Sequence, residues 1–207
     1  MEIKEKIVSV AAEMFMRYGV RSVSMDDVAR DLGMSKKTLY QSFSNKDELI
    51  QEVAKAHIQM EKVQFEEIED KAENSIDELF EMTGCMRHMM QNMNPSLLFD
   101  LQKYHPDAWA LFLDFKSNFI QQKIKRNIDR GLKDGSYREG INPEVLSRLR
   151  IEQVQMVFDP KIFPTSEFNL IDVQVQVLDH FIHGLLSEKG RELYRNCQQN
   201  QLTPTQA

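Results

Sequence analysis

The side chains with the clearest chemical potential lie close together, in a short stretch near residue 40. Lysine and glutamine can donate hydrogen bonds to base edges in the major groove of DNA, and hydroxyl groups can hold phosphates. Their spacing places them on one surface of a short helix. The outward-facing residues are Lys36, Lys37, Thr38, Tyr40, Gln41 and Ser42. An exposed tyrosine beside two lysines is difficult to explain as core, so this pattern indicates a surface that can bind nucleic acid.

Two predicted helix starts flank this stretch. Ser24 stands three residues before Asp27, and Asn45 stands three residues before Glu48, which is the spacing of a capping box. A capped helix N-terminus has free N–H groups and a partial positive charge, so it favours a bound phosphate. Lys46 adds a full charge at the second start. Each residue alone is more simply explained as a cap or a solvated charge, but their combination favours a DNA-binding surface.

Apolar spacing supplies the helices that position these groups. A first helix ends at Gly19, a short helix from Met25 ends at Gly33, and a second short helix follows the turn at Ser35. Two short helices joined by a tight turn and packed on a longer one form a helix-turn-helix unit. The residues predicted to fill its core are Phe15, Val28, Ala29, Leu32, Leu39 and Phe43. The second short helix is then left with an exposed, polar face.

The rest of the sequence also repeats apolar residues at helical spacing, without convincing two-residue alternation. We therefore predict an all-α fold with an N-terminal three-helix helix-turn-helix domain at residues 1–48 and an all-helical body at 49–197. The polar residues 198–207 are expected to form a disordered tail. Within the body, one long helix is predicted from Pro106 to Gly131 or Gly135.

The net charge of −6 does not exclude nucleic acid, because the charge is unevenly distributed. Residues 1–48 contain eight basic and eight acidic residues, so the whole deficit lies in the body. No apolar run is long enough to cross a bilayer, and the first residues lack the apolar core of a signal peptide. The two cysteines, Cys85 and Cys197, match no metal or redox spacing. We therefore expect a cytoplasmic, nucleoid-associated protein without a membrane partner.

The stretch from Gly19 to Ile50 resembles the DNA-binding signature of the TetR (tetracycline repressor) family. The matching residues are Gly19, Ser24, Val28-Ala29, Gly33, Thr38-Leu39-Tyr40, Phe43 and Lys46-Asp47. The resemblance implies a bacterial repressor that a small apolar or amphipathic effector releases from a palindromic DNA operator. The DNA-binding residues that it implies are Ser24, Ser35, Lys36, Lys37, Thr38, Tyr40, Gln41 and Lys46. Lys37 stands where the family often has glycine, which leaves the operator sequence open.

The resemblance continues more weakly in the body, at His105-Pro106, at residues 131–135 and at residues 184–186. It implies a ligand-binding and dimerisation domain in which the last two long helices, about 143–158 and 168–186, form a four-helix interface in a homodimer. The helical stripe expected at that interface comprises Val173, Val177, Phe181, Gly184 and Leu185. The same stripe suits intrachain core equally well.

Methionine recurs at helical spacing on the fifth predicted helix. Methionine adapts its shape and is common where a pocket accepts varied apolar surfaces, although plain core explains any single methionine more simply. Three aromatic residues can supply the other walls of a pocket for an apolar or amphipathic ligand. The predicted pocket residues are Met82, Met86, Met89, Met90, Phe99, Trp109 and Phe112.

Other classes of function have less support in the sequence. Cys85 and His88 lie three residues apart, as do His180 and His183, but neither pair has identifiable third and fourth ligands, so we predict no metal and no cofactor. A phosphate loop, a nucleophile elbow and an HExxH motif are absent, so we do not expect an enzyme. The alternatives left open are an activator or a protein-controlled regulator of the same fold, and a helical module that binds acidic partners.

Overall fold

The computed structural model describes residues 2–94, 96–164 and 166–202, the last three without their side chains. In these ranges the regular elements are helical, apart from one isolated antiparallel bridge between Tyr137 and Leu186. In chain order the helices are α1 (Ile3–Tyr18), α2 (Met25–Asp31), α3 (Lys36–Ser42), α4 (Lys46–Lys71), α5 (Ser75–Asn92), α6 (Leu97–Tyr104), α7 (Pro106–Asp114), a π-helical segment (Phe115–Ile120), α8 (Gln121–Asp134), α9 (Pro143–Val157), α10 (Leu170–Leu185) and α11 (Glu188–Leu202). The all-α prediction is confirmed.

The chain forms two compact units. The first comprises the residues up to Val63 together with Asn92–Phe115, and the second comprises Gln64–Gln91 and the chain from Lys116 onward. Helix α4 begins in the first unit and ends in the second.

In the first unit, α1 buries Ile7, Ala11 and Phe15, which recur once per turn on one face. The helix ends at Gly19, whose φ of +80° lies in the left-handed region that glycine adopts readily. The predicted core is confirmed for five of its six residues, which are buried, while Leu32 is partly buried. The apolar spacing of α1, α2 and α3 therefore accounts for the buried residues that these helices contribute to the core.

Residues after Asn92 join this same core, which sequence spacing did not indicate. The N–H of Asn94 donates to the carbonyl of Met16 at 2.7 Å. Leu97 and Ala108 are buried in the same core as the apolar residues of α1, α2 and α3. The compact unit is consequently larger than the segment 1–48, because α6 and α7 return to it through contacts that are distant in sequence.

The second unit has its own core, to which α5, α8, α10 and α11 contribute. Its fully buried residues include Ile76, Ile128 and Ile182. Close packing explains Gly131, where an added Cβ would lie only 2.1 Å from the ring of Tyr137. The hydroxyl of Tyr137 donates to Asn127 Oδ1 at 2.6 Å, which satisfies it inside the core.

Two sequence predictions require correction here. The long helix expected from Pro106 to Gly131 or Gly135 runs from Pro106 to Asp134, but it is π-helical at Phe115–Ile120, between α7 and α8. No glycine or proline marks that change, so sequence spacing carried no signal for it. Helix α11 continues to Leu202, so residues 198–202 are helical, and the remaining residues of the predicted tail, 203–207, lie outside the described residues.

Candidate nucleic-acid interface

Helix α3 presents the polar face that the sequence predicted. Leu39 is fully buried and fixes the helix on the core, while Lys36, Lys37 and Gln41 are exposed. Tyr40 is 48% exposed, which is high for a large aromatic side chain in a compact unit. The arrangement leaves two cations, one amide and one phenol on the same outer surface, a set that can contact base edges and phosphates.

Hydroxyl groups cap the two short helices. Ser24 Oγ accepts from the N–H of Asp27 at 3.2 Å and donates to the Asp27 carboxylate at 2.6 Å. These bonds from Ser24, with help from Arg30, hold the pKa of Asp27 below its usual range. Ser35 Oγ accepts from the N–H of Thr38 at 3.1 Å. Ser24 and Ser35 are therefore engaged as caps in the free protein, and their contacts with phosphate stay predictions.

Lys36 has a partner that sequence reasoning did not identify. Its ammonium forms an ion pair with Asp26 on α2, and both side chains are well exposed. Exposed pairs of this kind contribute only about 0–1 kcal/mol, so a phosphate can replace the carboxylate easily. The pair orients Lys36 toward the start of α2, where a phosphate is expected.

Lys46, at the start of α4, is tied to the turn between α1 and α2. Its Nζ donates to the carbonyl of Val20 at 2.6 Å, and the residue is half-buried. Desolvation lowers the pKa of Lys46, against the opposing effect of Asp47 and Asp100. An ammonium has three N–H donors, so two are left for a phosphate.

The beginning of α4 is also bonded to His105, which stands between α6 and α7, and to α7 itself. Asp47 Oδ1 lies 2.6 Å from His105 Nδ1, and Gln51 donates to Asp107 at 3.2 Å. The helix that carries Lys46 is therefore positioned from both sides within the first unit.

The predicted pocket residues fall in both units. Met82 is buried in the second unit, where Met86 and Met90 line a small cavity of about 10 Å³ with residues of α10, and Met89 is half-buried. In the first unit, Phe99 is half-exposed beneath Lys103, and the rings of Trp109 and Phe112 stack with centroids 5.1 Å apart. The prediction of one pocket from all seven residues stays a prediction.

The predicted interface stripe on α10 needs revision. Val173, Phe181 and Leu185 are 8%, 6% and 1% exposed, so their side chains fill the core of their own chain. Of the five residues, Val177 is half-buried and Gly184 is exposed. Among the described atoms outside its own helix backbone and its two chain neighbours, none lies within 4 Å of a Cβ added at Gly184. The exposed apolar residues on the neighbouring helix α9 are Val145 and Leu149. Sequence spacing correctly identified the buried face of α10. The opposite face of α10 is exposed in the single chain.

The described residues contain no cluster of three or more potential metal ligands among His, Cys, Asp and Glu. His180 and His183 lie on the exposed side of α10, and His183 is 3.5 Å from Asp179. None of the helices in the described ranges combines the length and apolar character that a membrane span requires.

Comparison with known proteins shows similarity to transcriptional regulators. Residues 7–53 match the model of bacterial regulatory proteins of the tetR family. The chain is 29% identical over 180 residues to the uncharacterised HTH-type transcriptional regulator YvaF of Bacillus subtilis, a match that covers 81% of this chain and 88% of YvaF. It is 19% identical over 150 residues to the HTH-type transcriptional repressor KstR2 of Mycobacterium tuberculosis, with 69% and 73% covered.

A solved structure shares the fold. A regulator from Saccharomonospora viridis, in complex with choline, superposes with a TM-score of 0.72 at 15% identity, covering 89% of this chain and 98% of that one. The residues that match the family model include α2, α3 and the start of α4, which carry the exposed lysines, Tyr40 and the caps.

Proposed function

This chain belongs to the TetR family of transcriptional regulators, and we propose that it acts as a homodimeric repressor in the cytoplasm. In this proposal the first unit binds a palindromic DNA operator. A small apolar or amphipathic molecule that binds the second unit releases the protein from that operator. The observation that carries the DNA-binding role is the outer face of α3, where Lys37, Tyr40 and Gln41 are exposed around a buried Leu39.

The DNA contacts divide by chemistry. Lys36, Lys37, Thr38 and Gln41 are assigned to base edges or to the adjoining backbone, because lysine and glutamine match purine acceptors. Ser24, Ser35, Tyr40 and Lys46 are assigned to phosphates, which fix the register of α3 in the groove but do not discriminate between sequences. We propose repression rather than activation, since the KstR2 relative is named a repressor.

A dimer is proposed through the outward faces of α9 and α10. Exposed Leu149 and Val145 supply apolar surface on α9, and Gly184 leaves room for close approach on α10. A two-fold dimer presents two copies of α3, so it reads two half-sites about one helical turn apart, ~34–36 Å.

Ligand control is proposed to act on the separation of the two recognition helices. Helix α4 carries Lys46 at its start and continues into the second unit, so its position can respond to a ligand there. A ligand shifts the equilibrium only when it binds one arrangement better than the other. Linkage then requires that DNA weaken ligand binding by the same factor by which the ligand weakens DNA binding.

A reporter gene behind the intergenic region upstream of the chain's own gene tests the proposal. Co-expression of the protein is expected to lower reporter output, and the double variant Lys37→Ala, Gln41→Ala is expected to leave it unrepressed. Increased output would make the protein an activator. Unchanged output, together with purified protein that does not bind the same DNA at low salt, would favour the helical interaction module instead.

A further inference from the structure

Helix α6 lies along the turn that joins α1 to α2, and both segments belong to the first unit. They touch at each end of α6. At its start, Ser96 Oγ lies 3.1 Å from the position of a Cβ added at Gly19. At its end, the guanidinium carbon of Arg21 lies 4.9 Å from the centroid of the Tyr104 ring. The end of α6 and the turn therefore form one continuous surface.

Two cations share the ring of Tyr104 on this surface. Lys103 Nζ lies 5.1 Å from the ring centroid, so the two positive groups are at most about 10 Å apart. Lys103 also lies 5.4 Å from the ring of Phe99. The four side chains, which we call the α6 patch, are exposed, and neither cation forms an ion pair with a carboxylate among the described residues. Two like charges held this close create a positive potential that attracts an anion.

The carboxylates nearby are engaged elsewhere. Asp47 lies 2.6 Å from Nδ1 of His105, and Asp107 accepts from Gln51 at 3.2 Å. Asp100 is only 5% exposed. None of these three acids forms an ion pair with a cation of the α6 patch in the described ranges, so the positive charge of the patch is left open to an external anion.

The α6 patch adjoins the residues assigned above to DNA phosphates. Lys46 Nζ donates to the carbonyl of Val20, which directly precedes Arg21 in the chain. Ser24, at the start of α2, follows Arg21 by three residues. The phosphates of one DNA strand follow one another at about 3.4 Å along the helix axis, so adjoining cations can contact successive phosphates.

We propose that the α6 patch binds the phosphate backbone of the same DNA, with Arg21 and Lys103 each contacting a phosphate near the one assigned to Lys46. Tyr104 is a positioning residue that holds both cations through its ring. This inference rests on the DNA-binding function proposed above. DNA phosphates are favoured over the acidic groups of a partner protein, because the patch is continuous with Lys46 and Ser24.

Salt titrations of the full-length protein on duplex from the intergenic region test the two cations. Arg21→Ala and Lys103→Ala are each expected to weaken binding roughly tenfold at low salt, because a charged hydrogen bond is lost. The slope of log affinity against log salt concentration should fall by about 0.9 for each phosphate contact removed. Lys55→Ala is the matched control, since Lys55 is exposed in the same unit, about two turns further along α4.

Neutral methylphosphonates, placed at one phosphate at a time in a short duplex that the wild type binds, assign the contacts. Wild type and Lys55→Ala are expected to lose affinity at each contacted phosphate. Arg21→Ala should become insensitive at one of these positions, and Lys103→Ala should become insensitive at another. Base preference should not change in either variant, because phosphate contacts do not discriminate between sequences.

Two variants of Tyr104 test the positioning role of the ring. Tyr104→Leu keeps both cations but removes the ring, and it should weaken binding about two- to fivefold, the effect of an exposed cation–π contact. Tyr104→Phe keeps the ring and should bind as the wild type does. An equal loss in both variants would contradict the positioning role.

Unchanged affinity and salt slope in Arg21→Ala and Lys103→Ala, on DNA that the wild type binds, would overturn the inference and leave the proposed function intact. Weaker binding with an unaltered methylphosphonate profile would also overturn it, because the cations would then act without contacting phosphate. Failure of the folded wild type to bind duplex DNA at low salt would contradict the proposed function itself, and the inference with it.

Discussion

At the scale of single residues, Lys46, which we propose contacts a phosphate, is already held in place by a hydrogen bond to the backbone. Its bond to the Val20 carbonyl uses one of three donors and fixes the ammonium beside the turn that precedes α2. Lys37 and Gln41 lie exposed on α3, and in the part of the chain that the structure describes their side chains have no such hydrogen bond. Restrained groups suit contacts that are the same for every DNA sequence, and exposed groups on α3 suit contacts that differ between sequences.

Four variants separate these two kinds of contact. Lys37→Ala and Gln41→Ala are expected to alter base preference by about 1–3 kcal/mol at the affected position. Tyr40→Phe and Lys46→Ala are expected to weaken binding to all sequences alike, with Lys46→Ala also lowering the salt dependence by about one phosphate contact. Anisotropy titrations against duplexes with single base changes measure both effects, with Lys133→Ala in the second unit as control. Wild-type affinities in all four variants would remove this assignment of α3 and α4.

Glu61 gives stability a dependence on pH. Its side chain is 13% exposed, and burial raises the pKa of Glu61 from 4.5 to about 7. His57, 3.6 Å away, does not compensate, because burial lowers the pKa of its imidazole and favours the neutral form. The pKa of the Glu61 carboxyl is higher in the folded protein than in the unfolded chain. Its contribution to the free energy of unfolding is therefore full below pH 4.5 and is lost as the pH rises through about 7.

Glu61→Gln is therefore expected to abolish this loss and to stabilise the protein at pH 8 by up to about 3 kcal/mol relative to the wild type. The two proteins should differ less and less as the pH falls toward 4.5. Urea denaturation across this range measures the free energy of unfolding, and the exposed Glu66→Gln on the same helix is the control. A constant difference between Glu61→Gln and wild type at every pH would show that Glu61 does not titrate in this window.

At the scale of elements, sequence predicted best where the information is local. Ser24 with Asp27, the glycine after α1 and the buried Leu39 were all found, because caps and helical faces depend on residues within a few positions. The packing of α6 into the core of the first unit was not predicted, and neither was the bond from Asn94 to Met16 just before it, because these contacts join segments nearly 80 residues apart. The π-helical segment and the small cavity lined by Met86 and Met90 likewise depend on packing across helices.

The packing of α6 into the core of the first unit leads to a specific prediction. Leu97 is 8% exposed within the core of the first unit, so Leu97→Ala is expected to reduce stability by about 2–5 kcal/mol. DNA binding should weaken in parallel, because the same core supports α3. Thermal unfolding with and without DNA measures both, with the exposed Met60→Ala as control. Destabilisation without any loss of DNA affinity would show that α6 does not support the recognition helix.

At the scale of the whole molecule, two chains are needed to contact the two half-sites of a palindromic operator. Gly184→Glu places a charged side chain on the exposed face of α10, where an added Cβ meets none of the described atoms outside its own helix backbone and its two chain neighbours within 4 Å. The folded chain should tolerate it, whereas a partner helix should not, since burying an unpaired charge is costly. Sedimentation is expected to show monomers. Gly84→Glu is the matched control, because that helical glycine has equally open surroundings. An intact Gly184→Glu dimer would move the interface away from α10.

The central claim is that this chain, as a dimer, recognises a specific palindromic sequence in duplex DNA. Selection of the purified full-length protein against a pool of random duplexes tests it most directly. The account predicts enrichment of one palindrome whose half-sites lie about one helical turn, ~34–36 Å, apart. The double variant Lys37→Ala, Gln41→Ala should fail to enrich that palindrome. A pool that stays random after repeated rounds at low salt, with folded wild-type protein, would contradict the account.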